Sequence, residues 1–178
     1  MTYIVVMPGT TSLDNRAVGW LVEHFRGYRR RNPWDFCWRI ALEGLAVSIL
    51  PTSLLWCFGL ADRKMNMTQG TLIGFAVVVA PIFETVLFQA LPIGVARLLN
   101  AGFASQVFWS TAVFFVAHAL DSGIATGLVA GLVGGFYLAF TYAHWRGRSR
   151  WTAFWTTAIT HAMSNAVVVC LVIKFKEV

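Results

Sequence analysis

Four polar residues stand in hydrophobic surroundings that give them no obvious use: Glu84, His118, His161 and Asn165. Glu84 is the only charged residue between Lys64 and Arg97, and it lies thirteen residues from both Thr71 and Arg97. Pro81, one turn earlier, has no backbone N–H to donate, so water or a polar side chain can enter there. His118 follows Phe114 by one helical turn and Asn165 follows His161 by the same interval, so each pair shares a face. Hydrolysing an amide needs a held water, a base to deprotonate it and donors for the oxyanion. Glu84 with His118 can position and activate the water, while His161 and Asn165 can donate to the oxyanion. Low dielectric favours the neutral form of a carboxylic acid, and raised proton affinity suits a carboxylate to general-base work near neutral pH. No serine-nucleophile signature, HExxH helix or P-loop is present, which favours a water-based mechanism over a covalent one. Glu43, the rival carboxylate, is expected near the membrane edge, where an i,i+4 ion pair with Arg39 accounts for it.

The elements that must carry these residues are membrane helices. The 178 residues are 57% hydrophobic and only 12% charged, whereas soluble domains carry about 25% charged residues. Residues 98–120, 122–145 and 151–173 contain no Asp, Glu, Lys or Arg, and each run is long enough to cross a bilayer as a helix. The expected fold is all-α, a polytopic transmembrane bundle of five to six spans. Five are read directly, over residues 40–60, 71–99, 103–120, 123–145 and 151–173. The second exceeds what a bilayer needs and contains Pro81 and Pro92, so it is tilted, kinked at Pro81, or split into two helices. Residues 1–39 are read as a cytoplasmic leader followed, from Asp14 to about Arg31, by an interfacial amphipathic helix. Residues 40–178 form the bundle. Glycines at 123, 127, 131 and 135 fall on one face and are read as a close-packing stripe without chemistry.

The net charge of +6 is not a nucleic-acid signal, because most basic residues flank the spans. Ten of the fourteen, among them Arg97 and the Arg146–Arg150 group, fall on one side when the N-terminus is cytoplasmic. The reading is of an integral protein, of the cytoplasmic membrane, with the bilayer as a partner. Cys37, Cys57 and Cys170 have neither ligand spacing nor a disulfide pattern. The run Ile4–Met7 lacks a basic n-region and is too short for a signal peptide.

In order and spacing the polar residues resemble the CAAX-protease and bacteriocin-processing family of intramembrane endopeptidases. Its first motif, two acids followed after three positions by Arg, aligns with Glu84-Thr85-Val86-Leu87-Phe88-Gln89. Its second, Phe and three residues then His, aligns with Phe114 to His118, and its third, His and three residues then Asn, with His161 to Asn165. The similarity covers residues 71–170. The resemblance implies that Glu84 and His118 activate water, that His161 and Asn165 stabilise the oxyanion, and that the substrate is a peptide bond near a membrane-anchored terminus, such as a prenylated tail or a sorting signal. Thr85 stands for the second acid and Gln89 for the Arg. One turn apart, they can exchange the charged pair for a hydrogen bond, or they can alter substrate choice. The chain is short for the family, so substrate-gating helices are reduced or are supplied by an oligomer.

Two other readings stand beside this one. In the first, Glu84, His118 and His161 ligate a zinc ion with water in the fourth position. In the second, the protein is non-enzymatic, either a bacteriocin immunity factor on the same scaffold or an ion-coupled carrier with Glu84 as its proton site. A carrier would usually show repeated halves with matching broken helices, and none is seen.

Overall fold

The computed structural model describes residues 23–28, 31–59 and 68–176. The leader and most of the amphipathic segment lie outside the described residues. Residues 23–27 form a helical turn in which Arg26 Nη1 pairs with Glu23 Oε1 at 2.6 Å, within a unit that ends at Asn32.

The second unit begins at Pro33 and is an all-α bundle, with no strand among the described residues. Its helices are α1 (Pro33–Cys57), α2 (Gln69–Leu98), α3 (Phe103–Ser122), α4 (Ile124–Arg146) and α5 (Arg150–Lys176). All five are long and apolar enough to cross a membrane. The side-chain distribution is inverted relative to a water-soluble bundle. Phe83, Phe108, Trp109, Leu120 and Leu171 face outward, while Thr85, Gln89, Ser110, Thr141 and Thr157 are buried. Such an apolar exterior fits lipid rather than water.

α1 starts seven residues earlier than the charge pattern suggested. Pro33 occupies the first helical position, where its missing N–H costs nothing. Asp35 and Arg39 pair at 2.9 Å one turn apart, so both charges ride inside the helix rather than marking its edge. Glu43 lies about three turns into α1, and the ion pair with Arg39 expected of it is made by Asp35. Cys37 Sγ meets the Thr156 carbonyl at 3.5 Å, so α1 runs alongside α5 with Glu43 close to the level of His161. Its carboxylate accepts a hydrogen bond from Tyr137 of α4 at 3.0 Å, a partner that i,i+4 spacing did not suggest.

α2 is one continuous helix. Its hydrogen bonding widens to i→i+5 over Gly74–Val79 and again over Thr85–Ala90. Pro81 and Pro92 each follow a wide stretch by two residues. In a regular α-helix the proline ring collides with the carbonyl four residues back, and a widened turn relieves that collision. The helix therefore absorbs both prolines without splitting.

α3 and α4 pack at backbone distance. A Cβ on Gly127 would stand 2.8 Å from Ala119 Cβ, and one on Gly135 would stand 2.7 Å from Phe114 Cδ1. The stripe is structural, as its spacing implied, except at Gly123. That residue adopts φ +88 and ends α3, a conformation that favours glycine.

Candidate active site

Three helices deliver the three ionisable residues to one point. Glu84 Oε2 lies 4.0 Å from His118 Nε2 and 3.7 Å from His161 Nε2. Glu84 comes from the middle of α2, His118 from one turn before the end of α3, and His161 from the middle of α5. The apparent mismatch in depth between Glu84 and His118 has a simple resolution. α2 overshoots α3 by several turns towards Gln69, so its midpoint meets the far end of α3.

Neither separation is a direct hydrogen bond, which needs about 2.7–3.2 Å. The atoms are nevertheless oriented for a shared partner. His118 Nδ1 lies 3.1 Å from the Phe114 carbonyl. A carbonyl only accepts, so this contact assigns the proton of neutral His118 to Nδ1 and leaves Nε2 as an acceptor facing Glu84. A water about 2.8 Å from both Oε2 and Nε2 would subtend roughly 90° between them, close to the angle between its two O–H bonds. The Phe114 ring packs against both imidazoles, with centroids 4.2 Å from His118 and 6.1 Å from His161. Phe114 is buried, which fixes the two rings relative to each other. The Glu84 and His118 side chains remain about a quarter and a fifth exposed (24% and 21%), so the carboxylate is reachable, whereas His161 at 8% forms the closed wall.

Asn165 commits part of its side chain to the backbone of α2. Its Nδ2 donates to the Ala76 carbonyl at 2.8 Å, two turns before Glu84 and within the first wide stretch of α2. The ladder hands the Ala80 N–H to Phe75, so the Ala76 carbonyl would need the N–H of residue 81, which proline lacks, and Asn165 of α5 serves it instead. One of its two N–H groups is thus committed to holding α5 on α2.

Thr85 and Gln89 are fully buried, but the hydrogen bond expected between them does not form. That expectation assumed α-helical registration, and the i→i+5 ladder over Thr85–Ala90 changes the angular step between successive side chains. Among the described residues no hydrogen-bond partner meets the Thr85 hydroxyl, either polar atom of the Gln89 side chain, the Thr111 and Thr157 hydroxyls, or His161 Nδ1. Ser110, beside Thr111, ties α3 to α2 by donating to the Phe88 carbonyl at 2.7 Å. Gln89, Thr111 and Thr157 therefore lie about one turn from the Glu84 level, towards the end that carries Arg97, Arg146 and Arg150.

The donor set for zinc is chemically apt, since both Nε2 atoms face the carboxylate. Bond lengths of about 2.0–2.2 Å would set tetrahedral ligands roughly 3.3 Å apart, whereas Glu84 stands 3.7 Å from His161 and 4.0 Å from His118, and among the described residues no group of three such side chains is close enough to hold a metal ion.

No family model, curated protein or solved structure matches this chain. The chemistry of the site therefore rests on its own geometry.

Proposed function

We propose that the protein is an intramembrane endopeptidase in which Glu84 and His118 hold and deprotonate a water. The single observation that carries this reading is one carboxylate within 4.0 Å of two imidazoles that come from two other helices, with a separation from His118 that one water could bridge from the side. The water oxygen attacks the scissile carbonyl carbon, and Glu84 takes the proton that the attack releases. Collapse of the tetrahedral intermediate breaks the C–N bond, and Glu84 returns the proton to the leaving amine. His161 presents Nε2 to the same space. As the Nε2–H tautomer it donates to the oxyanion, and its burial keeps that donor preorganised. Asn165 is a positioning residue that keeps α5, and with it His161, in register with α2.

The substrate would be a membrane-anchored protein or peptide, cut near its anchored terminus, as the family resemblance implies. The short connections 99–102 and 147–149 lie at one end of the bundle with Arg97, Arg146, Arg148 and Arg150, and we assign that end to the cytoplasm. The test is Glu84→Gln in cells that express a membrane substrate, with tails compared by mass spectrometry. Processing is expected to stop while membrane insertion is retained; unaltered tails would refute the reading. Activity that disappears on chelation and returns with zinc would replace the water-bridged site by the metal form. Protection against a bacteriocin that survives Glu84→Ala would replace catalysis by binding.

A further inference from the structure

The level of Glu84, His118 and His161 divides the bundle into two unlike halves. Towards the end that carries Arg97, Arg146 and Arg150 the helices are packed shut, and Phe36, Gln89, Phe114, Trp145 and Thr157 are each at most 1% exposed. Towards the other end, buried side chains run out. Among the described residues α2 buries none over 69–79, α3 buries none after Phe114, and α5 buries only Val169 after His161. The partial exposure of Glu84 and His118 is therefore not won from the arginine end.

Helix lengths shape the open half. α3 has 20 residues, which at about 1.5 Å each match the roughly 30 Å of the hydrocarbon core. His118 stands four residues before the Ser122 end, so it lies about 6 Å inside that boundary and about 22 Å from the boundary on the arginine side. On the Ser122 side α2 runs fifteen residues beyond Glu84, and α5 runs fifteen beyond His161, about 22 Å each. The α3–α4 turn is thus a low sill beside the taller α2 and α5, and His118 lies one helical turn below it. The sill is polar, since Asp121 is exposed and accepts a hydrogen bond from Ser122.

We propose that the site opens over the α3–α4 turn to the extracytoplasmic face, and that its substrate is an exported, membrane-anchored protein or peptide cut about one helical turn inside the outer boundary. The inference rests on the proteolytic reading for its chemistry and on the arginines for its orientation. Hydrolysis consumes water, which the hydrocarbon core does not hold, so water enters where the helices stand apart. A tail held at the cytoplasmic leaflet, such as a prenylated one, would have to pass about 22 Å of closed core. A segment already carried across the membrane and still tethered to it presents its peptide bond at the level of the site.

Accessibility is tested on the full chain with Cys57 and Cys170 replaced by Ala; Cys37 is buried and supplies the unreactive background. Right-side-out and inside-out vesicles are treated with a small membrane-impermeant trimethylammonium thiosulfonate, and modification is read as a mass shift of the intact protein. His118→Cys and Asp121→Cys are expected to react at least tenfold faster in right-side-out vesicles, Arg148→Cys at least tenfold faster in inside-out ones, and Gln89→Cys in neither. Reaction of His118→Cys from the inside-out face alone or from neither face, reaction of Gln89→Cys from the inside-out face, or reaction of Arg148→Cys from the same face as Asp121→Cys overturns the proposal. None of these readouts needs catalysis. In cells, proteins whose tails change with Glu84→Gln should be cut on their extracytoplasmic side. Changes confined to cytoplasmic tails would overturn this proposal and leave the proteolytic reading standing, whereas unaltered tails would overturn both.

Discussion

Gly131 of α4 sits so close to Phe115 of α3 that a Cβ added to it would stand 2.6 Å from the Phe115 Cα and 3.3 Å from the His118 Cβ. The backbone of α3 cannot yield as a flexible side chain would, so Gly131→Ala must push the two helices apart and carry His118 with them. Loss of at least tenfold in substrate processing is expected, together with a lower melting temperature. Gly134→Ala is the control, because its nearest neighbour is 3.9 Å away. That variant should retain both activity and stability.

Burying the Gln89 amide without a partner is costly, by about 1–3 kcal/mol for each such group. Replacing it with an apolar residue of similar volume removes that cost. Gln89→Met is therefore expected to stabilise the bundle, as is Thr157→Val, each read as a rise in the midpoint of denaturant unfolding in detergent. A fall in the midpoint for both would mean that these groups are satisfied in the membrane by partners other than the described residues.

Asn165→Val removes the donor to the Ala76 carbonyl and should cost about 1–2 kcal/mol in stability. Because the residue acts through His161, processing should fall through turnover rather than through substrate affinity. A variant that lost affinity with turnover intact would place Asn165 in contact with substrate instead.

The Tyr137–Glu43 hydrogen bond makes a graded set. Tyr137→Phe removes the hydroxyl that donates to Glu43 Oε1, whereas Glu43→Gln still offers an acceptor to the hydroxyl. The first should destabilise more than the second, and a double-mutant cycle should return a coupling of about 1 kcal/mol or more. Zero coupling would show that the contact contributes nothing.

These relationships differ in how far the sequence announces them. A bundle of five apolar helices follows from runs such as residues 151–173, where no charge interrupts the chain. The meeting of Glu84, His118 and His161 was legible because each is expensive in lipid and each sits on a separate span. Where charge was the only guide, the reading slipped. Arg39 was read as the partner of Glu43, but it pairs with Asp35 one turn earlier in α1, and Glu43 accepts from Tyr137 of α4. The missing N–H of Pro81 announced that a polar side chain could enter α2 there, but it did not say that Asn165 would be the one, or that it would meet the Ala76 carbonyl. Pro81 and Pro92 did announce a disturbance in α2. They could not say that the helix would continue through it.

The widened ladder just after Glu84 also fixes the azimuth of that residue. Each such stretch accommodates a surplus residue that a uniform α-helix would distribute as an extra 100° of rotation. Excising a single position between Thr85 and Ala90 would let the ladder tighten to a uniform α-helix, with the segments on either side keeping their facing. The same deletion in the regular turn Leu91–Leu98 has no surplus to absorb it and would swing the segment that carries Glu84 by about 100° against the end of the helix. In that second case the carboxylate would be carried out of the imidazole pair's reach, while composition, length and membrane affinity stayed almost unchanged. In this helix the count of residues, as much as their identity, aims the acid.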